Sequence, residues 1–269
     1  MLRRGMSHVR ELAKRLVRFL HIEGPVRENL TLLRELAPAS RRERQRLADF
    51  YRRLLSPGDL GFDVGANVGN RTRAFLDAGA KVISIEPQTG CARILNRRFR
   101  SNPRFELVEA AVGAEEGNQL LHVGAVSNIS TLSSDWMSQT RDSGRWSESA
   151  WSHAVNVPVT TLDRLIERYG RPAFCKIDVE GYEPAVLEGL TTPIDQLSFE
   201  FTLPECAEDV RACVDRLSSL ADYRYNYSFS ETLVFESPEW LSGPALLHRI
   251  EEIRDPAWGD IYARRTGSA

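Results

Sequence analysis

The stretch Asp63-Val64-Gly65-Ala66-Asn67-Val68-Gly69 constrains this chain more than any other. It follows a short apolar run, Leu60-Gly61-Phe62, and precedes Asn70 to Ala78, whose pattern predicts a helix. Glycine lets a backbone turn sharply after a strand and approach a ligand with no Cβ in the way. The next apolar run, Lys81-Val82-Ile83-Ser84-Ile85, ends in Glu86-Pro87, and a much later one ends in Lys176-Ile177-Asp178-Val179-Glu180-Gly181. A strand, a glycine turn, a helix and an acid at the tip of the next strand make half of a nucleoside-binding α/β fold. The plainer reading is a flavodoxin-like or dehydrogenase fold whose glycines only make the turn.

The spacing discriminates between nucleosides. A pyrophosphate cradle wants closely placed glycines and free N–H groups at a helix N-terminus. Here the pattern is D-x-G-x-x-x-G, with an acid first and one more residue between the glycines. Asp63 would repel a diphosphate but attract an amino group. S-adenosylmethionine has an amino group and a sulfonium and no phosphate, so the turn favours it over a dinucleotide. Glu86 lies 23 residues beyond Asp63, close to the ~20-residue offset of the acid that bonds a ribose in βαβ units.

The charged share of 27% and hydrophobic share of 42% are those of an ordinary globular protein. The four cysteines, Cys91, Cys175, Cys206 and Cys213, show no paired metal spacing. No apolar run approaches the ~20 residues of a membrane span, and the basic N-terminus lacks a compact apolar segment of the signal-peptide kind. A cytoplasmic enzyme is the expectation. The net charge of −2 hides an asymmetry: residues 1 to 55 hold 14 of the 35 Lys and Arg but 6 of the 37 Asp and Glu. Such a basic arm could touch nucleic acid, an anionic membrane or the acidic body of a second subunit.

Along the chain, Val9 to Leu20 and Val26 to Leu36 have helical spacing, broken by Gly24-Pro25 and Pro38. Ser40-Arg41-Arg42-Glu43 reads as a capping box for a third helix through Leu55. Residues 1–56 thus form a helical N-terminal extension, a cap on the body or a homodimer contact. Beyond Ser56-Pro57-Gly58, strands and helices alternate, as in a mostly parallel sheet covered on both faces. Strands are expected near 59–63, 81–86, 105–109, 119–123, 155–159, 173–178 and 196–202, and helices at 161–169, 183–190 and 205–220. Pro158 pushes its strand to an edge. Tyr223 to Phe229 alternates aromatic and polar residues, and Thr232 to Glu236 reads as its hairpin partner. The body is placed at 57–238, and 239–269 as a C-terminal helix and tail.

These blocks together resemble the FkbM-type methyltransferases. The residues that carry the resemblance are Phe62 to Gly69, Glu86-Pro87, Ala110-Ala111-Val112-Gly113, Thr161-Leu162-Asp163 and Lys176 to Gly181, extended by Glu183, Leu187 and Gly189. The Thr-Leu-Asp block followed by Lys-Ile-Asp-Val-Glu-Gly is the most specific. The resemblance covers about residues 57 to 236. It implies an α/β, Rossmann-like class I methyltransferase fold, with a seven-stranded mostly parallel sheet ending in an antiparallel strand. It also implies S-adenosylmethionine as cofactor and, usually, O-methylation of a hydroxyl on a sugar or other natural product.

In an open α/β sheet the ligand lies beyond the carboxyl ends of the strands. Asp63 would hold the amino-acid end of the cofactor, with Gly65, Asn67 and Gly69 as the turn against it. Glu86 would take the ribose hydroxyls, and Glu109 and Ala110 would flank the adenine. Methyl transfer to oxygen needs alignment of donor and acceptor and removal of a proton. Asp178, Glu180 and His153 are the candidate bases. A Lys176–Asp178 salt bridge is the structural alternative, and Glu180 could instead cap the helix that follows. Asp178 and Glu200, on adjacent strand ends, could hold a divalent cation, as acids there do in catechol-type methyltransferases. The Ser-rich stretch 127–152, with Trp136, Trp146 and Trp151, reads as a lid over a sugar ring or as packing on the sheet.

Two other functions compete. A nicotinamide-dependent oxidoreductase is disfavoured by the glycine spacing, by the terminal hairpin and by the lack of a Tyr-x-x-x-Lys-like pair. A nucleic-acid methyltransferase would use the basic arm, but no Asn/Asp-Pro-Pro-Tyr/Phe block follows residues 173–178. The acceptor expected is a small or glycosylated molecule, not nucleic acid. A non-catalytic relative would keep the fold without the cofactor residues.

Overall fold

The computed structural model describes residues 40–124, 129–143 and 151–267. The two helices expected between Val9 and Leu36, and Trp146, lie outside the described residues. The third expected helix is present as α1 (Arg41–Tyr51), and its capping box is complete: Ser40 Oγ accepts from Glu43 N, and Glu43 accepts from Ser40 N.

The central sheet alternates with helices as the pattern requires. β1 (Leu60–Val64) leads through the glycine turn into α2 (Asn70–Ala78), then β2 (Lys81–Ile85), α3 (Thr89–Phe99) and β3 (Phe105–Val108). A small sheet follows, of β4 (Ala111–Val112), β5 (Gly117–Gly124) and β6 (Trp151–Thr160), with α4 (Ser134–Asp142) between the last two. The chain returns through α5 (Leu162–Tyr169), β7 (Phe174–Ile177), α6 (Glu183–Glu188), β8 (Gln196–Leu203), α7 (Ala207–Leu220), β9 (Tyr223–Phe229), α8 (Gly243–Glu252) and β10 (Ala257–Arg265). The seven-stranded sheet has the order β3-β2-β1-β7-β8-β10-β9. β3, β2, β1, β7 and β8 pair in parallel, and β10 runs antiparallel to both its neighbours. This is the Rossmann-like methyltransferase sheet with an antiparallel last strand.

Side chains alternate across the strands and build one core on each face. Phe62, Val64, Ile83 and Ile177 pack with Leu162, Val186, Leu187, Val214 and Leu246 from α5 to α8. Val82, Phe174 and Tyr262 pack with Phe50, Tyr51, Phe75 and Phe99 from α1 to α3. Helix ends obey local chemistry. Thr161 caps α5 through Arg164 N, Gly170 ends it at φ 94°, and Ser242 caps α8 ahead of Pro244.

Three expectations are corrected. Thr232 to Glu236 forms no strand: Glu236 N donates to Tyr227 O, and Phe235 is drawn into a cluster with Phe50, Trp240 and Tyr262. The antiparallel strand is β10 instead, inserted between β8 and β9. Residues 257–265 therefore belong to the main sheet, and a boundary at 238 would cut it. Third, Pro158 is not on an edge strand, since β6 is the middle strand of its sheet. It is tolerated because β4 pairs only with Val159 and Thr160, one residue further on.

Candidate active site

A cavity of about 320 Å³ opens beyond the carboxyl ends of β1, β2 and β7. The glycine turn forms one wall. Gly65 N and Ala66 N both donate to Ile85 O, at 3.0 and 3.1 Å, which holds the turn against the end of β2. Gly65 has φ 78°, Asn67 φ 48° and Gly69 φ 88°. A Cβ on Gly65 would run into the backbone oxygen of Asp178. The turn is therefore seated directly on the chain at Asp178, and glycine is needed for that close approach.

Glu86 faces the cavity from the tip of β2 with both carboxylate oxygens engaged. Oε2 accepts from Asn67 N and Oε1 from Gln88 N, each at 2.8 Å. Burial pushes its carboxyl up to about 7, against the lowering effect of those two bonds. Beside it, Ile85, Pro87, Ala110, Ala111, Val112 and Leu121 make an apolar strip.

Three expected cofactor residues stand outside the cavity lining: Asp63, Glu109 and Gly69, which backs onto Leu95 and Phe99 of α3. Asp63 is 1% exposed and does not line the cavity. Its Oδ2 accepts from Thr72 Oγ1 at 2.6 Å, and Thr72 Oγ1 lies 2.8 Å from Ser84 Oγ. Asp63 thus ties α2 to β1 and β2 beneath the turn, and burial raises its pKa. Glu109 is exposed, because the chain alternates there and it is Ala110 that turns inward.

The opposite wall is acidic. Asp178, Glu180 and Glu200 line it and bring carboxylate oxygens within 4.8 Å of one another. The expected Lys176–Asp178 pair is present, Nζ to Oδ2 at 2.9 Å, and the same Nζ reaches Asp260 Oδ1 at 3.1 Å. Burial alone would raise Asp178, but Lys176, Arg71 and a hydrogen bond from Glu200 outweigh it and hold its carboxyl below the usual range. Glu200 goes the other way, driven well above its usual range by burial and then by Asp178, Glu180 and Glu183. The two carboxyls are thus driven in opposite directions by the same neighbourhood. The N-cap of α6, Tyr182, makes no side-chain cap, and Glu183, the first residue of the helix, reaches back to accept from Val179 N at 3.0 Å.

His153 is corrected outright. It is exposed on β6, paired in register with Val123, and is not among the cavity residues. Trp136 packs rather than offering its face: it is 2% exposed, sits against Gly181, and meets Trp151 edge-to-face at 5.8 Å. Among the described residues of the Ser-rich stretch, Ser130, Thr131 and Leu132 reach the cavity.

The sequence reading missed Arg71, Glu231, Trp258 and Asp260, all of which line the cavity. Arg71 and Glu231 pair at 2.6 Å. Trp258 is 40% exposed at the mouth. A lone charge in α2 and a strand hidden in a supposed tail carry no motif. The one available signal was the run Trp258-Gly259-Asp260-Ile261-Tyr262-Ala263, which is apolar apart from its acid.

Among known proteins, the chain resembles several solved structures in overall shape. An O-methyltransferase from Bacillus cereus, solved in complex with SAH, is 12% identical with a TM-score of 0.46, covering 94% of this chain and 96% of that one. A precorrin-6Y C5,15-methyltransferase from Geobacter metallireducens is 10% identical, TM-score 0.44, covering 83% and 86%. An rRNA methylase from Streptococcus thermophilus is 11% identical, TM-score 0.40, covering 84% and 98%. No curated protein matches the sequence. The model of the methyltransferase FkbM domain matches residues 63–227, from the acid of the glycine turn through most of β9. That span is more than half of the chain and holds the glycine turn, Glu86 and the Lys176–Gly181 block, so the protein belongs to the FkbM family of S-adenosylmethionine-dependent methyltransferases.

Proposed function

We propose that the protein transfers a methyl group to a hydroxyl of a small or glycosylated acceptor. The observation that carries this reading is the acidic wall. Asp178, Glu180 and Glu200 stand together across the cavity from Glu86.

The residues present fit the cofactor. Glu86 offers a carboxylate to a ribose diol, and the apolar strip from Ile85 to Leu121 offers a slot to a purine. When bound, S-adenosylmethionine supplies an electrophilic methyl group. This chain's residues must then orient a hydroxyl and take its proton. Asp178 is the base we assign: it lines the cavity, and Lys176 fixes its Oδ2. Its low pKa makes it a weak base, so the proton leaves the hydroxyl as the new bond forms. Glu180, with φ 56° in the turn after β7, is the alternative base on the same wall. The same three carboxylates would suit a hard divalent cation, which takes oxygen ligands; Asp178, Glu180 and Glu200 would then hold the ion.

The acidic wall also supports a small acceptor over a nucleic acid, whose phosphates it would repel. The test is methyl transfer from labelled donor to a panel of sugars and glycosylated natural products, with and without EDTA. Calorimetric titration with S-adenosylhomocysteine comes first. Binding by the wild type, with methylation lost on Asp178→Asn but binding kept, is the expected result. Turnover near wild type in Asp178→Asn would remove Asp178 from any proton or metal role. Loss on EDTA that is restored by Mg²⁺ would favour the ion.

A further inference from the structure

A second hollow, of about 340 Å³, lies at the other end of β10. Asp260 lines the first cavity, while Arg264, four residues on and so roughly 13 Å along the strand, lines this one. Arg53, just after α1, lines it too, with Gln196 and Trp240.

Both arginines lie over aromatic rings. The guanidinium carbon of Arg264 lies 4.5 Å from the Trp240 ring centre, and that of Arg53 lies 5.0 Å from Phe235 and 5.7 Å from Phe50. A stacked guanidinium keeps its N–H edges for a partner in the ring's plane. Among the described residues, neither arginine pairs with a carboxylate. The nearby Arg265 and Arg171, by contrast, share Asp195.

A further charge stands beside them. Arg264 pairs in register with Arg224 of β9 on one side and Gln196 of β8 on the other. Directly opposed residues project from the same face, and like charges so placed are destabilising. Arg264 and Arg53 thus bring two guanidinium groups over an aromatic floor into one hollow, and Arg224, beside Arg264 in register though not in the lining, adds a third positive charge nearby.

We propose that this hollow binds a small molecule through a phosphate group. Guanidinium forks match phosphate oxygens in pairs, and a hollow suits a small ligand better than a polymer. The site is separate from the methyl-transfer cavity, so its occupancy does not depend on the function proposed above. A ligand that binds only the folded chain makes the bound protein the more stable one.

The test is calorimetric titration of the full chain with pyrophosphate at about 0.15 M ionic strength. Saturable binding is expected, weakened at least about tenfold by Arg264→Gln and by Arg53→Gln, the loss of one charge-assisted pair. Both side chains are exposed, so both variants should melt cooperatively. Pyrophosphate should raise the melting temperature of the wild type and not that of Arg264→Gln. Arg224→Gln should raise the melting temperature of the ligand-free protein. Tighter binding of a nucleoside diphosphate than of pyrophosphate would assign the phosphate to a nucleotide, and equal binding to another phosphate ester. No saturable binding, binding untouched by both substitutions, or equal displacement by chloride at matched ionic strength would overturn the proposal. None of these outcomes bears on S-adenosylhomocysteine binding, which tests the other site.

Discussion

Glu86 and Asp63 look equivalent in the sequence, each an acid at a strand tip, and the structure separates them. Glu86 faces the cavity with its carboxyl pushed up to about 7. Ribose hydroxyls donate best to the ionised form, so S-adenosylhomocysteine affinity should rise as pH climbs toward 7 and level off above it. With one linked proton the gain from pH 6 to 8 is about tenfold. Titrations across that range should show this slope in the wild type and a flat, weaker profile in Glu86→Gln. A flat wild-type profile would mean that Glu86 does not meet the ligand as a carboxylate. Asp63, buried against Thr72, has a different consequence. Asp63→Ala should lower stability by about 1–3 kcal/mol, the cost of stranding a buried partner, while S-adenosylhomocysteine binding survives. Urea melts and titrations on the same sample would separate these effects.

At the scale of elements, β10 is the least expected and most connected piece. Gly259 lies so close to β9 that an added Cβ would meet the carbonyl oxygen of Ser228. Gly259→Ala should therefore cost about 1–3 kcal/mol and displace Trp258 and Asp260 from the cavity. A urea midpoint equal to wild type would contradict that packing. Most other elements were legible within a residue or two, because strong local chemistry marks them: the Ser40 and Thr161 caps, Gly79 and Gly170 at helix ends, and Pro87 after β2. β10 was not, because Gly259 and Asp260 interrupt its apolar run and its partners are distant in sequence. Within the cavity, the glycine turn, Glu86, Asp178, Glu180 and Glu200 were legible from their places at strand ends. Arg71, Glu231 and Trp258 were not, because they meet only in three dimensions. His153 misled for a related reason: a histidine's intrinsic pKa says nothing about which way its strand faces.

Taken as a whole, the molecule carries buried acids on both sides of its sheet's carboxyl edge. Glu183 is 3% exposed, and burial brings its carboxyl to about 7. In the unfolded chain it ionises near 4.3. Between those values the unfolded state has lost the proton and the folded state has kept it, so stability falls as pH rises through this window and is flat above about 7. Glu183→Gln should match the wild type near pH 4 and exceed it at pH 8, as urea midpoints at the two pH values would show. An equal deficit at both would mean that the charge is not what burial penalises. The place of β10 has one more consequence, in time rather than space. β9 is complete at Phe229, but the strand that joins it to β8 begins only at Ala257. At the pace of synthesis, roughly 5–20 residues per second, β9 waits on the order of a few seconds with no neighbour in the sheet. Lys176 meanwhile has one of its two carboxylates. A ribosome-bound chain arrested in that interval should hold five parallel strands, an open edge and a cavity still lacking Trp258 and Asp260, and so should be the form that most needs a chaperone.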